Sequence, residues 1–135
     1  MERDLREAVL SLATQSYKAA IILCGSIVEA VLLDRLLPKK ETSIEKLRTI
    51  REKQNKKLGD REKSIENWDL ESLLDVAHEE KIISYNLFYW GNGIRGFRNL
   101  VHPGVEQRKS RELSISRENA EIAWNIVKRL LSEIQ

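Results

Sequence analysis

The chain has 135 residues, of which 41% are hydrophobic and 33% charged, with a formal net charge of +2. That length suits one domain with a single core, and so small a net charge does not by itself imply nucleic-acid binding; any such role rests on where the charges lie. Cys24 stands alone, which excludes an internal disulfide, and two distant histidines beside one cysteine do not reach metal-ligand spacing, so neither a metal nor another cofactor is expected.

The charges are unevenly placed. Across 38–63 the bases Lys39, Lys40, Lys46, Arg48, Arg51, Lys53, Lys56, Lys57, Arg61 and Lys63 face only Glu41, Glu45, Glu52, Asp60 and Glu62. Across 64–80 the sign reverses, with Glu66, Asp69, Glu71, Asp75, Glu79 and Glu80 and no Lys or Arg, so the two segments complement each other. Met1 leads into charged ERDLRE rather than an apolar stretch, which gives no secretory signal. The apolar run 19–33 is short for a membrane span and is interrupted by Ser26 and Glu29. A cytoplasmic protein without membrane association is expected.

In chain order, Leu5, Ala8, Val9 and Leu12 recur at helical spacing beside Arg3, Asp4, Arg6 and Glu7, which predicts a short amphipathic helix. Ser16 is placed to N-cap a second helix running to about Leu37, where Pro38 closes it. Its apolar residues occupy nearly every face, the pattern of a helix surrounded by others. Glu29 is the exception, and a carboxylate in that setting needs a partner. From Thr42 to about Leu58 the thin stripe of Ile44, Leu47 and Ile50 predicts a weakly docked helix. The stretch from Gly59 to Asn67 holds too few apolar residues to anchor itself, so mobility is expected there.

Asp69 is a good N-cap for a helix carrying Leu70, Leu73, Leu74 and Ala77 on one face and ending near Lys81, with His78 read as a solvated surface residue. Ser84 opens the next helix, with Leu87, Phe88, Trp90 and Ile94. Gly91, Gly93 and Gly96 each cost about 1 kcal/mol against Ala inside a helix, so they mark either a break or a very close helix contact. Tyr89 and Trp90 read as core or interface residues. Neither the Gly25-Ser26 pair nor 91–93 has the context of a hydrolase elbow or a phosphate loop. Ser116 caps a last helix in which Ile122, Ala123, Ile126, Val127, Leu130 and Ile134 form an amphipathic stripe. With no strand-like alternation, the chain reads as one all-α domain over 1–135. It is a bundle of four to six helices with a polar, basic helical insertion at 38–67 after the second helix.

The stretch that looks like a site is IRGFRNLVHP, residues 94–103. On a helix Arg95, Arg98, Asn99 and His102 share one stripe, and Pro103 places His102 in or just beyond the last turn. Guanidiniums are fixed donors suited to phosphate, and imidazole titrates near neutral pH. Such a set binds an anion. It also suits RNA cleavage without a metal, His102 acting as general acid or base and an Arg stabilising the charged phosphorane. The same spacing serves a brace, with Arg98 and Asn99 turned inward to Glu29 and only Arg95 and His102 outward. Arg108, Lys109 and Arg111 in the following loop are candidate RNA contacts. The basic run 39–63 is read as a phosphate track, a surface for a protein partner, or a solvated face.

A helix reading AAIILCGSIVEAVLLDRL, a later FRNLVHPG and a closing amphipathic helix together resemble the HEPN superfamily of small helical domains. The likeness covers most of the chain outside 39–67. It implies a four- or five-helix bundle that dimerises. Many members are metal-independent ribonucleases of prokaryotic defence (toxin, abortive-infection and CRISPR systems), and others are binding or scaffolding modules. The superfamily's active motif places four to six residues between Arg and His. Here three separate Arg98, followed by polar Asn99, from His102, and six separate Arg95, followed by Gly96, from the same histidine. The resemblance therefore implies an RNA-binding homodimer with His102, Arg95 and Arg98 as catalytic candidates, supported by Asn99 and by Glu29, which matches the acidic residue of the second helix that faces the motif. A non-catalytic interaction module in which Arg98, Asn99 and Glu29 are structural stays open beside it.

Overall fold

The computed structural model describes residues 2–100 and 116–134, with the side chains of 94–100 outside that description. Six α-helices lie within those bounds: α1 (Glu2–Ala13), α2 (Tyr17–Leu36), α3 (Lys40–Lys53), α4 (Leu70–Glu79), α5 (Tyr85–Leu100) and α6 (Arg117–Glu133). Single 3-10 turns at Leu37–Lys39, Arg61–Lys63 and Ile65–Asn67 punctuate them, and no strand occurs among the described residues. The fold is an all-α bundle.

The apolar faces of α2 bury Ala20, Ile21, Cys24, Ile27, Val28, Val31, Leu32 and Leu36, and α1, α4, α5 and α6 all pack against it. Neighbours cover most of the helix, and its exposed stripe is itself partly apolar, with Ala19, Ile22 and Ala30 beside Lys18, Asp34 and Arg35, so its sequence lacks amphipathic contrast. α1 rests mainly on α2 through Ala8, Leu5 and Leu12, and its narrow contact leaves Val9 exposed. α6 buries Ala120, Ala123, Ile126, Val127 and Leu130, while Ile122 stays on the wet side. Three predicted caps form: Asp69 accepts from the Ser72 N–H at 2.9 Å, Ser84 Oγ from the Leu87 N–H at 3.2 Å and Ser116 Oγ from the Asn119 N–H at 3.2 Å. Ser16 occupies the position before α2 without a side-chain cap bond.

The insertion differs from its sequence expectation. α3 buries Ser43, Leu47 and Arg51, and the stretch after it is anchored by Ile65 and Trp68, both buried. Trp68 Nε1 donates to the Glu62 carbonyl at 2.8 Å. Two large side chains suffice to hold the segment because they enter the core at its far end, where α4 begins. α3 keeps the thin apolar docking expected of it, with Leu47 its one buried hydrophobic and Ile44 and Ile50 partly buried, whereas the expectation of an unanchored stretch after it is corrected.

α4 sets the direction of its neighbours. At its C-terminal end Glu80 meets Lys39 at 3.2 Å and Ser43 at 3.4 Å; near its N-terminal end Ser72 and Asp75 meet Arg51. α3 therefore runs antiparallel to α4. On the other flank His78 stacks on Phe88 with ring centroids 4.6 Å apart, and Leu74 lies against Gly91, so α5 is antiparallel to α4 as well. α3 and α5 consequently both finish at the end of the bundle where α4 starts. Glu133, at the close of α6, accepts from Ser84 N–H and Oγ, each at 2.9 Å, which returns the last helix to the opposite end.

Candidate functional site

α5 runs without interruption from Tyr85 to Leu100, through Gly91, Gly93 and Gly96. The glycines are thus not a break. A Cβ at Gly91 would stand 2.7 Å from Leu74 Cδ2, so this glycine permits the close approach of α5 to α4, whereas one at Gly93 would meet nothing within 4 Å. Because the helix is continuous, Arg95, Arg98 and Asn99 occupy positions three and four apart on its last turns. α5 packs on α2, and Glu29 of α2 is half-buried and engaged in a polar or charge interaction. His102, Arg108, Lys109 and Arg111 lie outside the described residues, as do the side-chain positions of Arg95, Arg98 and Asn99.

The described part of the same end holds a polar cluster centred on Arg51. Its Nε donates to Glu62 at 2.9 Å, Nη2 to Ser72 Oγ at 2.9 Å and Nη1 to Asp75 at 3.4 Å. Burial pulls the pKa of this guanidinium down, but hydrogen bonds to Glu62 and Asp75 and their charges outweigh it and hold it above its ordinary value. Arg51 is therefore a permanent cation that fastens α3, the 3-10 turn at Arg61–Lys63 and α4 together. Sequence reasoning counted it as one more basic residue. Its register was the available signal, since Arg51 follows Ser43 and Leu47 at intervals of four and so lies on the same face of α3.

Other side chains also depart from expectation. His78 is half-buried, stacked on Phe88 and 5.9 Å from the Tyr85 ring, because α5 crosses the face of α4 that carries it. Of the core-or-interface reading of Tyr89 and Trp90 the core alternative is overturned: they are 68% and 44% exposed, because α5 turns Leu87 inward and these two outward. Cys24, in contrast, is buried among apolar neighbours as its apolar run suggests, which pushes its thiol up to about 12 and keeps it a small hydrophobe. Among the described residues no three His, Cys, Asp or Glu gather as metal ligands, and no helix is long and apolar enough to cross a membrane.

Comparison of the chain with protein-family models, with curated proteins and with solved structures finds no match.

Proposed function

We propose that the chain is a HEPN-like domain that binds single-stranded RNA and cleaves it without a metal, through Arg95, Arg98 and His102 at the cleft of a homodimer. The observation that supports this most is the unbroken course of α5 through three glycines. It keeps both arginines and Asn99 at helical spacing on the last turns of α5, and α5 packs on the central helix that carries Glu29. In the reaction His102 takes the proton of the 2′-hydroxyl, that oxygen bonds to phosphorus, and the bond from phosphorus to the 5′ oxygen breaks. A cyclic phosphate and a free 5′-hydroxyl result, the leaving oxygen being protonated in turn. An arginine opposite the developing phosphorane supplies charge stabilisation.

Purified protein incubated with single-stranded RNA in EDTA should cut it, and His102→Ala should abolish cutting while leaving the helical fold intact. Uncut RNA at high wild-type concentration sinks the nuclease. The second reading is a non-catalytic interaction module, favoured by the exposure of Tyr85, Tyr89 and Trp90 at 65%, 68% and 44% on α5. Under it the wild type leaves RNA whole, and Arg98→Ala or Glu29→Ala mainly lowers the melting temperature.

A further inference from the structure

Resting on the reading of the chain as an RNA-binding domain, we propose that Lys53, Lys56, Lys57 and Arg61, on the basic turn that closes α3, form a contact surface for the phosphate backbone of single-stranded RNA. This surface lies at the end of the bundle where α5 finishes.

Across 51–63 six bases (Arg51, Lys53, Lys56, Lys57, Arg61 and Lys63) outnumber three acids (Glu52, Asp60 and Glu62), a local excess of three positive charges. Within 53–63 the two acids are already engaged: Asp60 with Lys63 at 3.2 Å, and Glu62 with Arg51 and the Gly59 N–H, each at 2.9 Å. Lys53, Lys56, Lys57 and Arg61 are exposed and, among the described residues, make no ion pair. Four neighbouring cations held in no ion pair, within a segment of net positive charge, raise the local potential, and phosphates that neutralise them release condensed counterions.

The turn is also held in shape. Asn55 takes a left-handed conformation at φ 58°, which stops α3 and reverses the chain, and the Lys56 N–H donates to the Arg51 carbonyl at 2.8 Å. Arg51 ties the start of the turn to Ser72 of α4, and Trp68 holds the Glu62 carbonyl at the other side. A ligand meets a backbone already ordered, so little affinity is lost to fixing it.

Its place follows from the packing of α4. Leu74 is level with Gly91, and four residues along each helix, about 6 Å in the same direction, bring α4 to Leu70 and α5 to Arg95. Ser72, the anchor of Arg51, lies within that interval. A strand on the basic turn is thereby directed to the last turns of α5. The chemistry fits RNA better than the alternatives. Residues 54–60 expose no apolar wedge to enter a bilayer, Leu58 being half-buried against the core, and they carry no aromatic anchor of the kind that centres a protein interface.

The test is fluorescence anisotropy with a labelled single-stranded RNA of mixed sequence, titrated at several salt concentrations. The combined variant Lys53→Gln, Lys56→Gln, Lys57→Gln and Arg61→Gln is compared with wild type. At about 0.7 per phosphate contact, losing four contacts should flatten the log–log salt slope by about 3 and weaken binding by on the order of 100-fold near 0.15 M salt. A control of equal charge, Arg3→Gln, Arg6→Gln, Arg35→Gln and Lys128→Gln on α1, α2 and α6, should keep both slope and affinity. Equal losses in variant and control assign the effect to net charge and overturn the surface. Wild-type affinity in the four-site variant overturns it while leaving the RNA reading intact. A wild type that ignores RNA, including one that instead binds vesicles of phosphatidylserine or an acidic peptide, removes both. All eight positions are exposed or unconstrained by a buried contact, and an unchanged melting temperature confirms that each variant is folded.

Discussion

Replacing Arg51 with Ala gives the sharpest test of how the insertion is held. The guanidinium is 10% exposed, and its removal leaves Glu62 and Asp75, 24% and 17% exposed, without their shared cation. Removing one partner of a fully buried ion pair costs about 3–5 kcal/mol. Water reaches both carboxylates here, so screening lowers the expected cost to about 2–3 kcal/mol. With an unfolding entropy of about 2.1 cal/mol/K per residue over the whole chain, that corresponds to a fall of about 7–10 °C in the melting temperature, read by far-UV circular dichroism. Hydrogen exchange should locate the loss, with amides of 54–68 exchanging faster than those of α2 and α6, because the clasp joins the turn to α4 and touches neither of those helices. A shift of less than about 2 °C, or uniform loss of protection, would refute the view of Arg51 as the fastening of the insertion. Arg51→Lys should fall between, since it keeps the charge but loses the fork that reaches both Nε and Nη partners.

Gly93→Ala should stabilise the protein by up to about 1 kcal/mol, the helix-propensity gain at an exposed position with open space, and chemical denaturation would measure it. Gly91→Ala should instead lower stability, since overpacking against Leu74 costs about 1–3 kcal/mol and outweighs the same gain; equal behaviour of the two variants would contradict the α4–α5 contact. Burial works to raise the pKa of Glu133, but Arg129 and Ser84 outweigh it and hold the carboxyl below its ordinary value. Its contribution to stability is therefore present above the unfolded-state pKa and is lost as pH falls through the lower folded value; Glu133→Gln should flatten the acid limb of stability against pH. Cys24 should react with a thiol reagent only as fast as the protein opens, and rapid reaction in native buffer would contradict its burial.

How far the fold was legible depended on how each segment makes its contacts. α2, α4 and α6 carry enough apolar residues at helical spacing that their burial follows from the pattern, and Asp69, Ser84 and Ser116 cap as their types and positions suggest. The insertion escaped that reasoning because its attachment is polar and non-local. Arg51 meets partners 11, 21 and 24 residues away, and no periodicity within a window of one helix reports such pairings. His78 escaped for a related reason: the sequence placed it in an acidic helix but not under Phe88. For the candidate site, the register of Arg95, Arg98 and Asn99 was legible, while the continuity of α5 was not, since a glycine that breaks a helix and one that admits a neighbour look alike in sequence.

The clasp and the close glycine contact have a joint consequence for the candidate site. Gly91 fixes the height of α5 on one flank of α4, and Arg51 fixes the height of the basic turn on the other. Both heights are set against the same ten-residue helix, Leu70–Glu79, so the separation of the turn from the last turns of α5 is set by α4 packing rather than by the length of the loops. Under the proposed reading of the chain as an RNA-binding domain, a variant that loosens either attachment should therefore weaken the cooperation of the two surfaces on one RNA strand while leaving each able to bind phosphate. Arg51→Ala makes the distinction measurable. Affinity for a short oligonucleotide should change little, and affinity for a strand long enough to reach both surfaces should fall toward it, because the gain from linking two contacts depends on their fixed spacing. Equal loss for short and long strands would show that Arg51 acts on one surface alone.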